Sequence, residues 1–70
     1  MSNLKLGKKI KSYREQLNMS QKELADKAKV SQSSLHYIEN DINSPTISNL
    51  DKIAKALGVS VAELLDDRTA

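Results

Sequence analysis

The chain contains no cysteine, tryptophan or phenylalanine, and its 70 residues include one proline and two glycines. Without cysteine it can form neither disulfides nor thiolate metal sites, which suits a reducing cytoplasm. No segment approaches the roughly 20 apolar residues of a membrane span, and no charged-then-apolar signal sequence opens the chain. We therefore expect a soluble cytoplasmic protein that does not associate with membranes.

The residues that usually carry catalysis are also scarce. The chain has one histidine, no glycine-rich phosphate loop and no clustered pair of carboxylates. A chain of this length leaves no room for a deep catalytic cleft. We expect a protein that is not an enzyme and that needs no cofactor, metal or small-molecule ligand.

The residues that the chain does contain indicate a small helical domain. The chain is 39% hydrophobic with only two aromatic residues, Tyr13 and Tyr37, so its core is aliphatic. A domain of this size buries only about 60% of the surface that its unfolded chain exposes. We predict one domain over residues 1 to 70, with an ordered core from about 4 to 65.

Positive charge is concentrated near the start of the chain, although the net charge is only +2. Residues 30 to 50 contain no lysine or arginine. The basic run comprises Lys5, Lys8, Lys9, Lys11 and Arg14. Alone, such a run is more typical of a solvated helix face than of a nucleic-acid site.

Apolar spacing and capping residues predict five helices, near residues 4–17, 21–28, 32–39, 46–57 and 61–65. Ser20 with Glu23 and Ser60 with Glu63 have the spacing of capping boxes. Ser31 and Thr46 are the other predicted N-caps. The expected fold is all-α.

The second and third predicted helices form a distinctive pair. Residues Gln21 to Asn40 predict two short helices joined by a tight turn, which is a helix-turn-helix. The apolar positions that would close these helices over one core are Leu24, Ala25, Ala28, Val30, Leu35 and Ile38.

Several motifs in order resemble one family. They are Arg14, MSQKELA at 19–25, VSQSSLHYIEN at 30–40, Pro45 and IAKALGVSVAELL at 53–65. The chain is similar to the lambda-repressor-like helix-turn-helix proteins of the Cro/C1, or Xre, type. That resemblance implies a compact five-helix domain with helices two and three as the helix-turn-helix. It also implies a sequence-specific regulator of transcription that binds double-stranded DNA, typically a repressor acting as a homodimer on a palindromic operator. Such proteins are bacterial or phage-encoded, cytoplasmic and nucleoid-associated.

The resemblance assigns base reading to Gln32, Ser33, His36 and Tyr37. Gln32 is the strongest candidate, because its amide can pair bidentately with adenine. Tyr37 could instead be a partly buried ring beside Ile38.

Three residues are assigned to phosphate binding, namely Gln21, Asn40 and Arg14. Arg14 also matches an arginine that pairs with Glu39 and ties helix one to the recognition helix. The family's dimer contacts fall on Val61, Ala62 and Leu65, which could equally be ordinary core residues.

The sequence departs from the family at two turns and one loop. Lys29 and Asp41 stand where glycine is usual, so both are expected in left-handed backbone. The loop from Asp41 to Ser44 lacks the basic residues that often contact phosphates, which predicts weak binding by a monomer. A protein-interaction or antitoxin module on the same fold therefore remains the alternative function.

Overall fold

The computed structural model describes residues 6 to 65, and every regular element in that range is a helix. The helices are α1 (Leu6–Gln16), α2 (Gln21–Ala28), α3 (Gln32–Glu39), α4 (Ile47–Leu57) and α5 (Val61–Leu65). The predicted all-α, five-helix architecture is confirmed. The predicted start of the first helix and of the ordered core, at residue 4, lies outside the described residues.

The helix starts are fixed by the predicted caps. The Glu23 amide donates to Ser20 Oγ at 3.0 Å, and the Ser20 amide donates to Glu23 Oε1 at 2.8 Å. Ser60 and Glu63 repeat this reciprocal pair at the same two distances. Ser31 and Thr46 each accept one bond from the amide three residues on, at 3.0 Å. Side chains thus satisfy amides that the first turn of a helix leaves unpaired.

Left-handed backbone ends or follows four of the helices. Lys29 has φ 63° and Asp41 has φ 57°, as the sequence predicted, and Gly58 closes α4 with φ 78°. Asn18, which follows α1, also has φ 57°. Asparagine and aspartate tolerate this conformation better than lysine does, so Lys29 is the most strained of the three non-glycine positions.

Replacing Lys29 by glycine should therefore stabilise the domain. Left-handed backbone costs an L-residue about 1–2 kcal/mol, and glycine avoids this cost. Glycine also loses more conformational entropy on folding, which costs about 0.5–1 kcal/mol. We expect a net gain of about 0.5–1 kcal/mol, measured by urea unfolding. Lys27→Gly is the matched control: inside α2 it should lose about 1 kcal/mol. Effects of the same sign in the two variants would contradict this account.

Each helix contributes one fully buried aliphatic residue to the core. These residues are Ile10, Leu24, Leu35, Ile53 and Leu64. The main helix contacts join α2 to α4 and α3, and α1 to α3. Within residues 6 to 65, no helix is long and apolar enough to cross a membrane.

The start of α1 lies directly on the end of α3. A Cβ placed on Gly7 would be 2.5 Å from the carbonyl oxygens of Ile38 and Glu39 and 2.8 Å from Asp41 Oδ1. The Gly7 amide donates to that same Asp41 oxygen at 3.3 Å. The first turn of α1 has no acidic residue of its own. The Asp41 carboxylate, which follows α3, offsets the partial positive charge at this end of α1 instead. Glycine is needed here for close approach.

Candidate nucleic-acid interface

The predicted base-reading residues lie together on one open surface. A shallow depression of about 280 Å³ is lined by Gln21, Gln32, Ser33, His36 and Tyr37. Four of these side chains come from α3, and Gln21 is the first residue of α2. We call this surface the reading face. It presents amide, hydroxyl, imidazole and phenol groups and no permanently charged side chain.

The two rings of the reading face contact each other. The ring centroids of His36 and Tyr37 are 5.8 Å apart, with the planes tilted by 60°. Tyr37 is 43% exposed and therefore accessible from solvent, although part of the ring is covered. The phenol can present an apolar edge and a hydroxyl to a ligand.

Asn40 lies at the C-terminal end of α3. Its Nδ2 donates to the His36 carbonyl oxygen at 2.8 Å, so the side chain satisfies the last turn of its own helix. The residue is exposed, and its Nδ2 also lies 3.4 Å from His36 Nδ1, so the amide is placed beside the reading face. The position suits a phosphate contact beside the reading face.

A bidentate ion pair joins α1 to the end of α3. Arg14 Nε donates to Glu39 Oε2 at 2.7 Å, and Arg14 Nη2 donates to Glu39 Oε1 at 3.0 Å. The side chains are only 10% and 1% exposed, respectively. The hydrogen bonds to Glu39 raise the pKa of the Arg14 guanidinium, while burial acts in the opposite direction. Arg14 therefore stays charged at every pH relevant to folding.

Two further contacts extend this pair into a network. Arg14 Nη1 donates to the Met19 carbonyl oxygen at 2.8 Å, and Gln21 Nε2 donates to Glu39 Oε1 at 3.0 Å. All three guanidinium nitrogens thus have partners within the protein, which favours an orienting role for Arg14 over the phosphate contact expected from the sequence. The same Glu39 carboxylate holds the Gln21 amide, a link that no local sequence pattern signals.

The segment between α3 and α4 presents apolar side chains. Ile42 is 62% exposed, and Ile47, the first residue of α4, is 80% exposed. The loop from Asp41 to Ser44 has no cation to place beside a phosphate. Ile47 continues the apolar spacing of Leu50, Ile53 and Leu57 along α4, and this spacing predicts a buried side chain, but only the other three are buried.

Comparison with known proteins identifies the family. A family model described as Helix-turn-helix (HTH_3) matches residues 10 to 64, most of the chain. The chain belongs to the helix-turn-helix family.

Two curated relatives cover most of this chain. The immunity repressor protein of Bacillus phage phi105 is 38% identical over 64 residues, covering 91% of this chain and 44% of the repressor. The transcriptional regulator SinR of Bacillus subtilis is 42% identical over 64 residues, covering 90% of this chain and 58% of SinR. The chain thus spans about half the length of these relatives.

Solved structures agree with the helix-turn-helix assignment. The N-terminal DNA-binding domain of Bacillus subtilis SinR superposes with a TM-score of 0.89 at 39% identity, covering 97% of this chain and all of that domain. The P22 c2 repressor, solved with a synthetic operator, gives a TM-score of 0.84 at 29% identity and covers 93% of this chain and 97% of its own.

In this helix-turn-helix domain, α5 divides its residues between core and surface. Leu64 is buried, and Val61 is half-buried against the core. Ala62 is exposed, and Leu65 is 48% exposed. Of the residues expected at a dimer contact, Ala62 and Leu65 are therefore available to a partner, and Val61 is partly so.

Proposed function

We propose that the protein is a sequence-specific DNA-binding regulator of transcription, acting as a repressor. One observation carries the proposal: the four predicted base-reading residues and Gln21 line a single open face on the helix-turn-helix. A helix presented in this way fits the major groove, where each base pair offers a distinct pattern of donors and acceptors. The relatives support it, because they include an immunity repressor, and SinR has been solved in complex with DNA.

Each reading-face residue has a proposed role. Gln32 pairs with a base edge, preferentially adenine, while Ser33 and His36 add less discriminating hydrogen bonds. Tyr37 contacts a thymine methyl group or a phosphate. Gln21 and Asn40 bind phosphates and fix the register, which leaves sequence choice to α3. Neither these contacts nor the fold requires a cofactor or an enzymatic step.

We further propose that residues 4 to 65 fold as one unit and bind DNA as a homodimer. The reading face and the following loop lack lysine and arginine, so these two surfaces neutralise no phosphate in a single copy. Two copies on a palindrome, with half-sites about 34 Å apart, would add their contacts. The exposed Ala62 and Leu65, together with Val61, are the proposed interface. The protein would act in the cytoplasm of a bacterium, encoded by the host or by a phage.

A second candidate, a protein-interaction or antitoxin module, is favoured by the exposed isoleucines. Ile42 and Ile47 place two large apolar side chains where phosphate-binding cations would help a DNA-binding protein. An apolar surface of this kind suits a protein partner. This candidate predicts that substitutions on the reading face leave function unchanged.

A selection of bound duplexes from a random library distinguishes the two candidate functions. The DNA-binding proposal predicts recovery of a palindrome, which would also establish the dimer. Gln32→Ala should then weaken binding to the selected duplex about 10- to 100-fold per half-site, because a bidentate base contact discriminates by about 1–3 kcal/mol. The preference at one base pair per half-site should relax.

Gln16→Ala is the matched control for this experiment, since Gln16 is an exposed glutamine on α1 that does not line the reading face. It should leave both binding and the melting temperature unchanged. If the library yields no preferred sequence, and only changes in α5 affect the protein's interactions, the interaction module is the better description.

A further inference from the structure

A second depression, distinct from the reading face, lies between the C-terminal ends of α2 and α4. It has a volume of about 310 Å³ and is lined by Lys27, Ala28, Lys29, Lys52, Lys55 and Ala56. We call it the lysine groove. The two alanines are buried and form its floor, and all four lysines are exposed. Lysine stems can lie along such an apolar floor while their ammonium groups remain in water.

The groove brings together cations that are far apart in the sequence. Lys55 makes an exposed ion pair with Asp51 at 3.3 Å, and on α2 the nearby Asp26 pairs with Lys22. Exposed pairs of this kind contribute little to stability, so Lys55 can exchange Asp51 for a phosphate at small cost. The lining residues themselves carry four positive charges and no carboxylate.

Helix stabilisation explains only part of this cluster. Lys27 and Lys55 lie in the last turns of α2 and α4, where a cation offsets the partial negative charge of the helix end. Lys52 lies in the middle of α4, one turn before that end. Lys29 occupies left-handed backbone, where glycine would be less strained. Two of the four lysines thus need another explanation.

The groove adjoins the reading face through the turn of the helix-turn-helix. Helix α2 has Gln21 of the reading face at its first residue and the groove at its other end. Lys29 precedes Gln32, the first residue of the recognition helix, by three positions. The turn that carries Lys29 therefore joins the groove to the start of the recognition helix.

We propose that the lysine groove binds the phosphates of DNA that flanks the base-read sequence. This inference rests on the proposed DNA-binding function and adds the source of its electrostatic affinity. The reading face and the loop after α3 supply no lysine or arginine, whereas the groove supplies four. It would strengthen binding to any flanking sequence and leave base preference to α3.

The test compares two double variants that remove the same charge. K27Q/K52Q acts in the groove, and K8Q/K11Q removes two exposed lysines from α1. Dissociation constants are measured at 50 and 200 mM salt on two duplexes, one ending at the selected site and one extended by 10 base pairs on each side. Circular dichroism melting checks that both variants remain folded.

We expect the extended duplex to bind wild-type protein with the steeper salt dependence. Loss of two phosphate contacts per copy in K27Q/K52Q should lower the ratio of the dissociation constants at 200 and 50 mM about tenfold for each bound copy, and about a hundredfold for a dimer, on the extended duplex. On the short duplex that ratio should stay as in the wild type. K8Q/K11Q should retain the difference between the two duplexes.

Other outcomes overturn the inference. An unchanged salt dependence in K27Q/K52Q would show that these lysines do not bind DNA phosphates. A different anionic partner, such as an acidic protein segment, would then be the better candidate for the groove. A loss of the length effect in both variants would reflect net charge alone. Measurements on random-sequence duplexes separate this inference from the proposed function. Suppose that no operator is selected but K27Q/K52Q still lowers the salt dependence on random-sequence duplexes. The groove then binds DNA, and the proposal of sequence-specific regulation fails. If Gln32→Ala weakens operator binding but K27Q/K52Q leaves the salt dependence unchanged, the regulator proposal stands and the groove inference fails.

Discussion

Replacing Arg14 by methionine is expected to destabilise the folded state by about 3 kcal/mol, because removing one partner of a buried ion pair leaves the other charge uncompensated. Glu39, whose side chain is 1% exposed, would keep only the hydrogen bond from Gln21. A domain of fewer than 80 residues rarely has more than about 3–5 kcal/mol of stability to lose. The melting temperature should fall by about 12–24 °C in a circular dichroism scan.

A double variant, R14M/E39L, tests whether this loss comes from the isolated carboxylate. Replacing both members of a buried pair by apolar residues of similar volume is often neutral or even stabilising. The double variant should therefore melt above R14M, and the methionine stem can occupy the space left by the arginine. Equal melting of the two variants would mean that the loss comes from packing or from the bond to Met19. An R14M protein that melts like the wild type would contradict the assignment altogether.

Even if the double variant recovers its stability, we expect it to bind DNA less well than the wild type. Glu39 Oε1 accepts hydrogen bonds from Arg14 and Gln21 together, so one carboxylate fixes α1, the end of α3 and the start of α2. Without it, the Gln21 amide loses its partner, and the phosphate contact proposed for it would require ordering the side chain on binding. The pair is best understood as a device that orients the reading face, at some cost in stability.

The sequence predicted those parts of the fold that depend on neighbouring residues. The capping boxes at Ser20 and Ser60 require only a hydroxyl and a glutamate three positions apart, and both form as expected. The left-handed backbone at Lys29 was expected because the family that the chain resembles usually has glycine there, and it too lies within one turn of a helix end. Such features are local, because the atoms that make them lie within one turn.

Features that depend on contacts across the fold could not be predicted from neighbouring residues in the sequence. The amide of Gln21 was expected to face a phosphate, and nothing in the sequence showed that Glu39, 18 residues later, accepts its hydrogen bond. The lysine groove joins α2 to α4 residues more than 20 positions away, so neither helix alone reveals it. Ile47 fitted the apolar stripe of α4, and only the folded chain shows it in solvent.

The role of Gly7 likewise depends on a contact across the fold. Its replacement by alanine has the second largest expected effect on stability. In an isolated helix this change would gain up to about 1 kcal/mol. In the fold, the added methyl group would meet two carbonyl oxygens of α3 at 2.5 Å, a distance that real contacts do not reach. Both oxygens belong to backbone, so α1 itself must move. Overpacking of this kind costs about 1–3 kcal/mol or more, and we expect a net loss of about 2 kcal/mol.

A displaced α1 has consequences beyond its own first turn. The Gly7 amide would lose its bond to Asp41, and the seam between α1 and α3 also carries the Arg14 to Glu39 pair. We therefore expect Gly7→Ala to lower the melting temperature by about 8–16 °C. DNA affinity should also fall, because the end of the recognition helix shifts with the seam.

Gly58→Ala is the matched control, since it adds the same methyl group where no atom lies within 4 Å. Its cost should be only the left-handed backbone at φ 78°, about 1 kcal/mol, with no change in DNA binding. A Gly7→Ala protein as stable as the wild type would show that α1 moves off α3 without penalty. The close seam would then be dispensable, and the orientation of the reading face would have to come from the buried ion pair alone.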